Sequence, residues 1–181
     1  MYGEKEGRRF TFEFIMNMQY HLAQVNIGKI IAPMDSPVMA GFADNLDRIN
    51  SLAEKSDGFI WRLKDDSNNA TSIKVFDDDF MLINMSVWKN IDSLYKYVYQ
   101  SAHTDYLKRR KEWFEKMPEM YMALWYVPET HIPNCAEAIE RLFYLRKNGD
   151  TAFAFGFKNK FSPEEAAAFS PTDQSDLYKV H

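Results

Sequence analysis

Apolar and polar residues alternate from Tyr20 to Ile27, which places Ala23, Val25 and Ile27 on one face and Leu22, Gln24 and Asn26 on the other, the period of a strand. Helical spacing takes over after Ser36 and Pro37, a capping residue followed by one suited to a first turn, and Met39, Phe42, Leu46, Ile49 and Ala53 share a stripe. Asp57-Gly58 stops that helix and leads into a second strand, Phe59 to Leu63. The polar stretch between Asp65 and Asp79 reads as an elaborated hairpin connection with a short strand from Thr71 to Phe76. In the next strand, Phe80 to Trp88, one face is aliphatic (Met81, Ile83, Met85, Val87). The other face mixes Phe80, Leu82, Asn84, Ser86 and Trp88, a composition closer to a pocket lining than to a dry core. Asn90 caps a long helix whose packing stripe is Ile91, Leu94, Tyr95, Val98 and Ala102. The helical pattern continues past His103 towards Phe114, with a break expected between Ser101 and Thr104. Pro118 closes it, and Met120 to Val127 is a fourth strand. Pro128 and Pro133 frame a turn into a helix from Asn134 to Lys147, which Gly149 terminates. Thr151 to Phe157 is an edge-strand candidate.

Strand, helix, strand, strand, helix, strand is the split βαβ order of a ferredoxin-like domain, an α+β fold with an antiparallel sheet, helices on one face and here an additional C-terminal helix. The second face, carrying Leu22, Phe80, Leu82, Trp88 and the aromatic set between Tyr121 and Tyr126, then needs a cover. A homodimer packed sheet to sheet is the expected solution, with the C-terminal helix as the alternative. The expected organisation is a loose arm over residues 1–18, with Met16 or Met18 as an alternative start, one domain over 19–158, and a tail over 159–181 with one turn at Pro163 to Phe169.

The 181 residues include 46% hydrophobic and 27% charged positions, enough apolar material for a core and too much charge for a membrane bundle. A formal charge of −4 gives no basic footprint, so nucleic acid is not an expected partner. No apolar run approaches the roughly 20 residues of a membrane span, and the N-terminal stretch lacks the pattern of a secretory signal. Cys135 is the only cysteine, which removes intramolecular disulfides and Cys-based zinc sites and makes a reducing cytoplasm the expected compartment. Dinucleotide, phosphate-loop, nucleophile-elbow, zincin and EF-hand signatures are missing, and Asp77-Asp78-Asp79 reads as a solvated turn. No resident metal is expected.

Tyr99, His103, Tyr106, Arg110 and Trp113 follow one another at spacings of 4, 3, 4 and 3, which aligns a phenol, an imidazole, a guanidinium and an indole on one helical stripe. In a pocket wall His103 would be a general base, acid or metal ligand, Arg110 an anion anchor and Trp113 an apolar platform. The bland alternative is a structural helix with solvated basic residues and a half-buried histidine. Asn26 and Asn84 sit among apolar positions, where a buried amide needs hydrogen bonds and can polarise a substrate oxygen. Arg62 is a second anion-anchor candidate. Trp61 and Trp88 are candidates to line a flat cavity, or equally to fill the core.

The segments YHLAQVNIGKIIAPMDSPVMAGFADNLDRINSLAEKSDGFIWRL, NATSIKVFDDD, MSVW, YVYQSAHTDYLKRRKEWFEKM and LWYVP, in this order over about residues 20–158, resemble the bacterial domain-of-unknown-function family 3291. The resemblance implies the dimeric α/β-barrel superfamily, which includes antibiotic-biosynthesis monooxygenases. Cofactor-free members of that superfamily use Asn, Trp and a polar residue to help a quinol-like substrate react with oxygen. Haem-degrading members use an Asn on the first strand, a Trp on a later strand and a His on the second helix as iron ligand. Asn26, Trp88 and His103 occupy the corresponding elements and are the catalytic candidates, with Tyr99, Arg110, Trp113, Asn84, Trp61 and Arg62 around a small-molecule substrate. The expected activity is monooxygenase-like, on an apolar or aromatic substrate held between Trp88 and Trp113, without a cofactor. The alternatives are haem binding through His103 and a non-catalytic ligand-binding or assembly protein.

Overall fold

The computed structural model describes residues 19–170; the arm expected over residues 1–18 and the end of the chain, 171–181, lie outside the described residues. Strands β1 (Tyr20–Lys29), β2 (Phe59–Arg62), β3 (Met81–Trp88) and β4 (Met122–Pro128) form a four-stranded antiparallel sheet in the order β2-β3-β1-β4. This is the α+β, ferredoxin-like arrangement that the element order implies. The helices are α1 (Ala40–Ala43), α2 (Leu46–Glu54), α3 (Ile91–Gln100), α4 (His103–Arg109), α5 (Cys135–Asn148) and α6 (Pro163–Ala168).

The side-chain alternation of β1 and β3 divides the molecule into two layers. Ala23, Val25, Ile27, Ile83, Met85 and Val87 join Ala123, Trp125 and Val127 of β4 on one face, where Ala138, Ile139, Leu142 and Leu145 of α5 pack on them. On the other face Leu22, Trp88 and Leu124 meet Ala53 of α2 and Leu94 of α3, while Leu82 packs with Ile30, Met39 and Trp113. The face left for a partner sheet in the sequence reading is thus the one beneath α2, α3 and α4. Leu22 and Trp88 are fully buried there and Leu82 nearly so. The chain's own α5 covers the aliphatic face. Alternation says which residues share a face, not which helix lies over it, and both faces carry large apolar side chains.

Helix ends follow the chemistry of their caps. Asn90 and Asn134 each accept a backbone N–H at the start of α3 and α5, from Ser93 and Glu137 at 2.9 and 3.0 Å, and Gly149 ends α5 with φ +74°. The stripe expected as one helix after Ser36 is divided into a 3-10 turn (Pro37–Met39), α1 and α2, with the Asn45 amide donating to the Gly41 carbonyl at the joint. Thr71 to Phe76 forms no strand: Ile73, Val75 and Phe76 pack against the aliphatic core without pairing to the sheet. Thr151 to Phe157 contributes a single bridge, Leu124 to Phe155, rather than an edge strand. Beyond residue 158, the Phe161 carbonyl accepts from the Tyr126 hydroxyl and Phe169 contacts Tyr144 and Phe153.

Candidate functional site

A cavity of about 260 Å³ lies between the mixed face of the sheet and the helices α2, α3 and α4. Its floor is a patch of amides produced by strand register. Asn26 pairs with Asn84 across β1 and β3, and Gln24 pairs with Ser86, so that three amides and a hydroxyl adjoin. The Asn26 side-chain N–H donates to Gln24 Oε1 at 3.1 Å, and Asn84 Oδ1 accepts from Gln24 and Asn26 at 3.4 and 3.5 Å. Asn84 is exposed although it stands in the middle of a strand.

The wall is built from the two halves of the second helical stretch. Ser101 interrupts it: its hydroxyl donates to the Tyr97 carbonyl at 2.5 Å and accepts the His103 backbone N–H at 3.1 Å, so α4 restarts at His103. The His103 ring lies 4.7 Å from that of Tyr97, which in turn stacks on Trp88 at 5.0 Å and 26°. His103 Nδ1 lies 3.4 Å from the Val98 carbonyl, an acceptor only, which assigns the proton to Nδ1 and leaves Nε2 with a lone pair. Nε2 has no hydrogen-bond partner among the described residues. Burial lowers the His103 pKa below its usual value, with the Val98 carbonyl opposing the shift, so the ring is neutral at pH 7. Burial likewise raises the Tyr97 phenol far above its normal range, and it stays protonated.

Among the residues expected at a site, Asn26, Asn84, Arg62, Trp88, Tyr99, His103, Arg110 and Trp113 all line this cavity. Trp61 does not. A bulge between Phe59 and Trp61 shifts the register of β2, setting Trp61 opposite Val87 in the aliphatic core and Arg62 opposite Ser86 in the cavity. Arg62 is already engaged, with Nε donating to Glu54 Oε1 and Nη2 to Asn68 Oδ1, each at 2.9 Å. The expected tryptophan sandwich is not formed either. Trp88 is 0% exposed, its indole N–H given to Ser86 Oγ at 2.9 Å, and Trp113 is 3% exposed among Phe42, Tyr106 and Arg109. Tyr97 went unrecognised in the sequence; its place three residues after Leu94 and six before His103 was the available signal.

Haem does not suit this site. The cavity is smaller than the roughly 300 to 1,000 Å³ of sites for drug-sized ligands, too little for a macrocycle as it stands. No group of three or more His, Cys, Asp or Glu among the described residues is placed to hold a metal ion.

The family model described as "Domain of unknown function (DUF3291)" matches residues 21–171. No curated protein matches the chain. Similar solved structures include a protein of unknown function, NE2512, from Nitrosomonas europaea, at 11% identity and TM-score 0.40, covering 65% of this chain and 97% of that one. SnoaB, a cofactor-independent oxygenase from Streptomyces nogalater, aligns at 14% identity and TM-score 0.38 over 64% of this chain and 96% of its own. PA3566 from Pseudomonas aeruginosa gives 10% and 0.40 over 65% and 99%. Likeness at this level carries no conclusion about activity.

Proposed function

The chain belongs to the DUF3291 family, and on that premise we propose that it is a small-molecule enzyme of the monooxygenase type, acting on an aromatic substrate in the cleft over Asn26 and Asn84 without a cofactor. The observation that carries this reading is the neutral imidazole of His103, with Nε2 unpartnered, lining the same cavity as a cluster of amides. A base of this kind and donors for an oxyanion are the two parts that direct reaction with oxygen requires.

In the proposed reaction His103 Nε2 takes a proton from an activated ring CH2 next to a phenol or carbonyl. The Asn84 amide N–H groups donate to the enolate oxygen, and Asn26, whose own N–H groups go to Gln24 Oε1 and Asn84 Oδ1, orients the Asn84 amide. The carbanion delivers electrons to O2, a C–O bond forms, and the resulting hydroperoxide loses the second C–H proton as its O–O bond breaks and water leaves. CH2 plus O2 gives C=O plus H2O, and the substrate supplies all four electrons. His103 returns the first proton to the peroxide. The reading includes a homodimer with one such cleft in each subunit, whose described lining comes from a single chain.

Oxygen uptake by the purified protein with 1,8-dihydroxyanthrone, without added flavin or metal, tests this. The expected result is one O2 consumed per substrate, with His103→Gln slower by about 100-fold or more and an unchanged melting temperature. Uptake no faster than without protein would overturn the reading and leave a ligand-binding protein.

A further inference from the structure

The cavity is electrostatically one-sided. The chain carries 26 acidic residues and a net charge of −4, yet among the described residues no Asp or Glu lines the cavity, while two arginines do. Arg62 has its counter-ion in Glu54. Arg110 has none among the described residues: its only hydrogen bond runs from Nη2 to the Ile27 carbonyl at 3.2 Å.

Arg110 is nevertheless held in place. Its guanidinium lies 4.7 Å from the ring centres of both Phe114 and Tyr121, an aromatic clamp on a planar cation. Gly28 of β1 makes the room, since a Cβ there would come within 2.7 Å of Phe114 Cδ1 and 2.8 Å of Arg110 Nη2. A half-buried cation with no carboxylate is costly unless something else supplies the charge, and most of the N–H donors of this fork remain unused.

We propose that the cleft selects an anionic substrate, a planar aromatic acid of up to three fused rings whose carboxylate is taken by Arg110. The inference rests on the cleft being the substrate site of the proposed enzyme. The cavity volume of about 260 Å³ limits the size of the ring system. His103 and Arg110 are seven residues apart on a continuing helical path, on the order of 10 Å along its axis, which separates the proton-accepting end from the anion-holding end by about the length of such a molecule. A neutral aromatic enters and meets His103 without the contact that Arg110 adds to an acid, and so binds more weakly.

The test is calorimetric titration of the full chain with 2-naphthoate and with 2-naphthamide, a pair matched in shape and not oxidised. The expected result is that the acid binds about tenfold tighter or more than the amide, with the preference shrinking in concentrated salt. Arg110→Gln removes the preference by weakening acid binding far more than amide binding. Arg110→Lys keeps part of it, since the charge remains and the fork is lost. Lys108→Gln, which removes an equal charge outside the cavity, leaves the preference intact. Equal affinity for acid and amide, an undiminished preference in a folded Arg110→Gln, or no saturable acid binding up to millimolar concentration would each overturn the proposal. An Arg110-dependent acid preference without any oxygen uptake would keep this inference and remove the monooxygenase reading; oxygen uptake without acid preference would do the reverse.

Discussion

His103 couples the proposed chemistry to pH. Burial disfavours its charged form, so the folded-state pKa lies below the unfolded value of about 6.5. Below that value the unfolded chain takes up the proton before the folded one does. Stability contributed by the neutral ring is therefore full above about pH 6.5 and is lost as pH falls through the folded pKa. The melting temperature is expected to fall on acidification over that window, and His103→Gln is expected to flatten this part of the profile; an identical profile in the variant would deny the burial of the ring. Activity is expected to rise with pH through the same depressed pKa and then level off, because only the neutral ring accepts a proton. Asn26, Asn84 and His103 were readable as candidates because polar residues at strand and helix positions otherwise apolar are conspicuous. The exclusion of Trp61 was not, since it depends on a bulge of one residue in β2 that leaves no mark in composition. Alternation alone keeps one of Trp61 and Arg62 off the cavity wall without saying which.

The break between α3 and α4 is the element-level device that sets His103. The Ser101 hydroxyl bridges the end of one helix and the start of the next, holding the Tyr97 carbonyl and the His103 N–H together. Ser101→Ala is expected to cost about 1 kcal/mol in urea unfolding and to lower turnover more than stability alone explains, by freeing the imidazole from its place beside Tyr97. Unchanged kinetics would show that the break positions nothing. The interruption was legible from the pattern around Ser101, and so were the caps at Ser36 and Asn90. Less legible was the division of the stretch after Ser36 into three short pieces, since Met39, Phe42, Leu46, Ile49 and Ala53 keep an unbroken helical spacing across the joint. The strand expected at Thr71 to Phe76 was misread because alternating apolar residues also suit a loop that packs one side onto a core. There Ile73, Val75 and Phe76 bury against the aliphatic face while the Asp78 carboxylate pairs with Lys29 at 2.9 Å.

At the scale of the molecule, the two faces of one sheet separate stability from chemistry. The aliphatic face is closed by α5, and Leu142→Ala is expected to cost about 2 to 5 kcal/mol in denaturant unfolding while leaving catalysis of the folded fraction intact, because Leu142 is fully buried on the side away from the cavity. Leu82 lies under the helices on the other face, 8% exposed beside Ile30, Met39 and Trp113. A charge placed there by Leu82→Asp is expected to destabilise the chain by about 3 kcal/mol or more, instead of splitting a dimer. A stable, folded Leu82→Asp monomer replacing a wild-type dimer in light scattering would restore the sheet-to-sheet arrangement. The order of elements along the chain, the fourth strand and the C-terminal helix could all be read from periodicity, whereas the pairing of helices with faces is a tertiary property that two similarly apolar faces leave open. The proposed monooxygenase chemistry makes one demand that a binding protein or a peroxide-releasing oxidase does not meet: one atom of O2 must enter the product. Mass spectrometry of the product formed from 1,8-dihydroxyanthrone under 18O2 measures this directly. The expected result is a single 18O atom in the new carbonyl with wild-type protein and loss of that product with His103→Gln; unlabelled product, or hydrogen peroxide in its place, would contradict the account.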